Sequence, residues 1–182
     1  SDREGRHAQL NGVEVDWSPL ELKRGKFHAE RISAVNVTVE RTPIPAAEPP
    51  AKSSGSFSLP VNVQIDDLAL PEIKLGEKLA GRPFQLVAKG RGTASSDAIA
   101  LVLSANRTDA PEARVTADIA FVPNENVLKL DASLNEPPGG FLATLLRLPG
   151  APSVALTLKG DGMLSDWTGS LTGAVGGNPV LD

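Results

Sequence analysis

The chain has 182 residues, with 22 Asp and Glu against 18 Lys and Arg, and its net charge of −4 is spread with both signs interspersed. That balance excludes a basic nucleic-acid footprint, and the lack of cysteine excludes disulfides and thiolate metal sites. Tyrosine is absent and aromatics are 4% of residues, so the side chains on which catalysis leans are scarce; neither an enzyme nor a cofactor is expected.

No apolar run is long enough to cross a bilayer as a helix. The opening Ser-Asp-Arg-Glu-Gly is not a signal peptide. The chain reads as soluble, and as a fragment that starts in polar residues and stops in mid-pattern.

In chain order, short strands are expected around 7–10, 13–17, 27–32 and 35–41, with turns at Asn11-Gly12, Ser18-Pro19 and Arg24-Gly25. Val35, Val37 and Val39 alternate with Asn36, Thr38 and Glu40. Prolines and serines then make 43–56 an extended loop. The organisation expected is N-terminal strands over 1–42, this loop, and a main segment over 57–182 that resumes the same pattern.

Further strands are expected near 58–67, 69–75, 83–94, 97–107, 112–122, 126–135, 153–162 and 167–173. The connections at 95–97, 108–111 and 123–126 are short and turn-like, which suits antiparallel hairpins. Within these runs apolar and polar residues alternate. A period of two gathers Val61, Val63, Ile65, Phe84, Leu86, Ile99, Leu101, Leu103, Val115, Ile119, Phe121, Leu128, Leu130, Leu134, Val154, Leu156 and Leu158 on one face. That face is either the core of a closed sandwich or barrel, or the lining of an open groove.

One segment breaks the period. Phe141, Leu142, Leu145 and Leu146 recur at helical spacing between Pro/Gly brackets, predicting a helix near 140–148 of about two turns. Arg147 suits the negative end of its dipole. This helix either crosses over and covers the sheet or lies in a groove as a plug or lid.

The remaining polar residues have plain readings. His7 and His28 lack a carboxylate or second histidine at metal spacing. Asp66 and Asp67 are adjacent, so on a strand they face opposite sides and form no catalytic dyad. Lys89-Gly90-Arg91-Gly92 lacks the strand–loop–helix context of a phosphate cradle and reads as a strand end. Trp17 and Trp167 each follow an aspartate after a glycine and short spacer, a loose internal echo at strand joints.

The order and spacing of several short stretches carry a resemblance. Leu10-Asn-Gly-Val-Glu-Val-Asp-Trp-Ser-Pro-Leu20, Val39-Glu-Arg-Thr-Pro43, Phe57-Ser-Leu-Pro60, Asn135-Glu-Pro-Pro-Gly-Gly-Phe-Leu142 and Leu158-Lys-Gly-Asp-Gly162 with Asp166-Trp167 are similar to the early periplasmic region of the TamB family. TamB proteins are AsmA-like inner-membrane components of the translocation and assembly module. The resemblance implies a mainly β fold: an elongated, curved, antiparallel-rich sheet forming a hydrophobic groove, a β-taco, with one short amphipathic helix. It also implies a periplasmic segment of a protein anchored in the inner membrane by a helix absent here. The implied partners are phospholipid acyl chains and an outer-membrane barrel of the TamA type. The implied function is non-enzymatic: shielding phospholipids between membranes in support of outer-membrane biogenesis. The alternative is a scaffold that binds nascent outer-membrane β-barrel proteins by strand addition.

Overall fold

A computed structural model of the chain describes residues 8–40, 58–77, 81–110 and 112–181. His7 and the loop expected over 43–56 lie outside the described residues. Among these residues ten strands and two short helices follow one another. They are β1 (Ala8–Trp17), α1 (Pro19–Leu22), β2 (Lys26–Val39), β3 (Asn62–Leu75), β4 (Phe84–Ala94), β5 (Ile99–Arg107), β6 (Arg114–Val122), β7 (Val127–Glu136), α2 (Phe141–Leu145), β8 (Val154–Asp161), β9 (Thr168–Val175) and β10 (Asn178–Leu181).

All ten strands form one sheet, in sequence order from β1 to β10. Neighbours are antiparallel except β2 and β3, which run parallel with Phe27 opposite Val63 and Val39 opposite Leu75. The exception has a covalent cause. A parallel pair cannot be closed by a tight turn, and the chain between Val39 and Asn62 supplies the length needed to return to the start of the sheet. β1 and β10 are the two edges, so the sheet is open and curved rather than closed into a barrel.

The first strands differ from expectation in continuity. Asn11-Gly12 is not a turn: β1 runs through it, paired with β2 from Ala8 opposite Val39 to Trp17 opposite Ala29. Gly12 takes φ +61 and lies against Val35, a kink that glycine accommodates inside a strand. The two strands expected over 58–75 are one, β3, with register shifts against β4 between Ile65 and Leu68 and between Leu70 and Ile73. Such shifts bend a strand and increase its twist. Ser18-Pro19 opens a helix, α1, because proline suits the first helical turn. Among the described residues there are thus two short helices, and Gly176-Gly177, both at positive φ, turn the chain into an additional strand, β10.

α2 is shorter than its apolar spacing suggests. It has five residues, follows its N-cap Gly140 and ends before Arg147, which takes φ +53, so Arg147 lies beyond the last turn instead of pairing with the dipole. The buried residue is Ala143, while Leu145 and Leu146 are 51% and 58% exposed.

Candidate functional site, the uncovered apolar face

The ladder register sorts side chains into rows that cross the sheet. One row reads Val15, Ile32, Leu68, Gly90, Leu103, Ala117, Ala132, Leu158, Leu171 from β1 to β9. Nearer the hairpins of β4–β5 and β6–β7, a second reads Trp17, Ala29, Ile65, Gly92, Leu101, Ile119, Leu130, Gly160, Gly169. The adjacent row on the opposite face reads Ser33, Ala69, Lys89, Ser104, Thr116, Ser133, Thr157, Thr172. Strict alternation thus becomes one apolar face and one polar face across the whole sheet.

Every expected lining residue from Val63 to Leu158 lies on a strand, and its register puts it on this apolar face. Val61 stands one residue before β3, outside its ladders with β2 and β4. The register also adds residues that irregular alternation concealed: Leu10, Val13 and Val15 on β1, Ile32 and Ala34 on β2, and Leu68, Leu70 and Ile73 on β3; of the alternating Val35, Val37 and Val39, the last two join this face, while Val35 is exposed against Gly12 at the kink. Their spacing jumps at the kinks, so a fixed period of two loses them.

Nothing among the described residues forms a second layer over this face. The buried apolar side chains are Ala29, Ala34, Phe84, Ala113, Ala143 and Val154, and only Phe84 and Val154 are larger than alanine. The central lining of Ile99, Leu101, Leu103, Ile119, Leu130 and Leu158 is half-buried. A closed sandwich would bury these fully.

The floor is also thin in places. A Cβ on Gly90 would come 2.6 Å from Leu103 Cδ2, and one on Gly92 3.3 Å from Leu101 Cδ1. Lys89-Gly90-Arg91-Gly92 is therefore mid-strand rather than a strand end, with glycines under the leucines of β5 and the two cations on the polar face.

The two rims, where the strands end, differ. At the hairpin rim Trp17 packs on Phe27, centroids 5.6 Å apart, and the Trp167 ring covers Gly160 and Gly169 while its Nε1 donates to the Leu128 carbonyl at 2.9 Å. At the other rim lies α2. Phe141 meets Phe84 edge to face at 6.0 Å, and both oxygens of Glu136 cap the helix, accepting from the backbone N–H of Phe141 (3.0 Å) and Leu142 (2.8 Å). Beside it Arg107 ends β5, its guanidinium 4.7 Å from the Phe84 ring centre. Arg107 Nε and Nη2 donate to Asp109 at 2.9 and 2.5 Å, which holds that carboxyl below its usual range.

On the polar face His28 has partners that local spacing hides. Its Nε2 lies 2.7 Å from Asp66 Oδ2 and its Nδ1 3.2 Å from Glu21 Oε1. Carboxylates only accept, so serving both requires the doubly protonated ring. Its hydrogen bonds to Asp66 first and Glu21 second raise the His28 pKa. Asp66 and Asp67 separate onto different cations, His28 and Arg31, at the register shift. No cluster that could hold a metal occurs among the described residues.

The class these observations define is an open, curved β-sheet with one continuous apolar face. No family model, no curated protein and no solved structure matches the chain.

Proposed function

We propose that this chain is a non-enzymatic, periplasmic lipid-handling segment whose apolar face shields phospholipid acyl chains, as its resemblance to the TamB family implies. The observation that carries the reading is the apolar face running across the sheet, charged only at the α2 rim, with no layer above it among the described residues. Ten strands at ~4.8 Å make a trough about 43 Å long. The nine residues of β5 span roughly 30 Å, enough to fold around tails that reach ~15 Å in one leaflet. At about 0.8 kcal/mol per methylene, a tail left in water midway between membranes faces a barrier on the order of 10 kcal/mol. A continuous lining removes most of it and requires no particular residue, only the absence of charge.

One observation favours a second reading. Among the described residues β1 is an edge strand of ten residues with a single neighbour, so its outer backbone groups can template another strand. A scaffold for nascent outer-membrane strands, working with a barrel partner of the TamA type, would use that edge.

Native mass spectrometry of the purified chain separates the two. Retained phospholipid, lost in folded Leu101→Asp and Leu130→Asp variants, is the expected result. A lipid-free chain that binds β-strand peptides would support the scaffold instead.

A further inference from the structure

Resting on the lipid reading above, we infer that the α2 rim holds a phosphate site that fixes the headgroup of a diacyl phospholipid while its tails lie along β4–β6. In the register rows of the apolar face, two charged side chains occur, Arg107 and Glu136, and both are at this rim. Glu136 is fully engaged, with both oxygens on α2 backbone N–H groups. Arg107 is not. It is 6% exposed, its Nε and Nη2 are occupied by Asp109, and its Nη1 is buried with no hydrogen-bond partner.

Buried donors are satisfied almost without exception in folded proteins. A guanidinium held by a carboxylate along one edge still presents a second edge suited to a two-oxygen anion. A second cation stands close by: the guanidinium carbon of Arg82 is also 4.7 Å from the Phe84 ring centre. Arg82 is exposed, and its Nη2 donates to the carbonyl of Gly139 in the loop leading into α2. Asp109 and Glu136 balance Arg82 and Arg107 in charge, but the Glu136 oxygens are taken up by α2 backbone N–H groups and Asp109 by Nε and Nη2, which leaves Arg107 Nη1 as the unsatisfied donor.

The tails then have a defined path. From Arg107 the apolar face of β5 continues through Ala105, Leu103 and Leu101 to Ile99, flanked by Leu86 and Ala88 on β4 and by Ala117 and Ile119 on β6. That run is about 26 Å at ~3.3 Å per residue, longer than one leaflet's tails. A phosphate at Arg107 thus puts charge at the rim and methylenes on the lining. Because Nη1 is buried, a phosphate reaches it only when the side chains around it move.

The test compares dipalmitoyl phosphatidylglycerol with dipalmitoylglycerol, which has the same tails and no phosphate, offered to the purified chain from mixed micelles and read by native mass spectrometry. The wild type is expected to prefer the phospholipid. Arg107→Gln is expected to lower that preference about tenfold, as loss of a charge-assisted contact does, with diacylglycerol occupancy unchanged. Arg82→Gln, on an exposed side chain, is expected to lower it severalfold and decides the matter if Arg107→Gln does not fold. An unchanged preference in the folded variants, or no preference in the wild type, overturns the phosphate site while leaving the groove intact. Failure of both lipids to bind overturns the groove and the site with it. Inorganic phosphate that binds as tightly as the phospholipid, followed by phosphorus NMR, would mark a free-ion site and overturn the lipid assignment.

Discussion

At the residue scale, His28 is the clearest case of chemistry created by the fold. Glu21 comes from α1 and Asp66 from β3, with Lys26 3.2 Å from Glu21 and Gln64 2.6 Å from Asp66 completing the cluster. The His28 pKa is raised above 6.5, so its contribution is complete at low pH and disappears as pH climbs through the raised value. Glu21 and Asp66 are lowered from 4.5 and 3.8, chiefly by hydrogen bonds from His28 and from Gln64 respectively, so theirs is lost as pH falls. The cluster therefore stabilises most in mildly acid solution. The melting-temperature gap between wild type and His28→Gln should be widest near about pH 5–6 and shrink above neutrality; a gap constant with pH would refute the pairing. Trp167 gives a second residue-scale prediction. A Cβ on Gly160 would overlap its ring, and one on Gly169 would come 2.7 Å from it. Gly160→Ala should cost about 1–3 kcal/mol in urea unfolding and shift Trp167 fluorescence toward the solvent-exposed spectrum. The Asp-Trp echo in the sequence pointed to both tryptophans, but the seat that Gly160 and Gly169 make for Trp167 needs the register to be seen.

At the element scale, α2 depends on a residue outside itself. It is five residues long, has no side-chain cap of its own, and exposes Leu145 and Leu146. Isolated helices of that length do not persist in water. Two backbone N–H groups are held by Glu136 at the end of β7. Glu136→Ala should lower stability by about 1–3 kcal/mol and speed hydrogen exchange at the amides of Phe141 and Leu142 before those of β5 or β6. Unchanged exchange there would mean that the helix is held by other contacts. The spacing of Phe141, Leu142, Leu145 and Leu146 announced a helix correctly but overstated its apolar stripe, because Gly140 and Arg147 set the ends and one small residue, Ala143, makes the buried contact. β5, β6 and β7 were legible to within two residues at each end, since their alternation is unbroken and their turns are short. β1 to β3 were not. Their kinks shift the parity, and Asn11-Gly12, a strong hairpin signal, is overridden by continuous pairing with β2.

At the scale of the whole molecule, the sequence pattern specified a sheet with one apolar face but could not say whether another layer covers it. That depends on how strands far apart in the chain are arranged, and a sandwich and a trough have the same period of two. The sequential order of ten strands, with unpaired edges at β1 and β10, answers it: no strand is left to build a second sheet among the described residues. The central claim is that acyl chains occupy this face, and site-specific photocrosslinking tests it most directly. Leu101 and Leu103 lie on the apolar face and Val102 between them on the other. A photoreactive residue placed at Leu101 or Leu103 should capture phospholipid from membranes, whereas one at Val102 should not; capture at none of the three, or equal capture at all of them, would contradict the account.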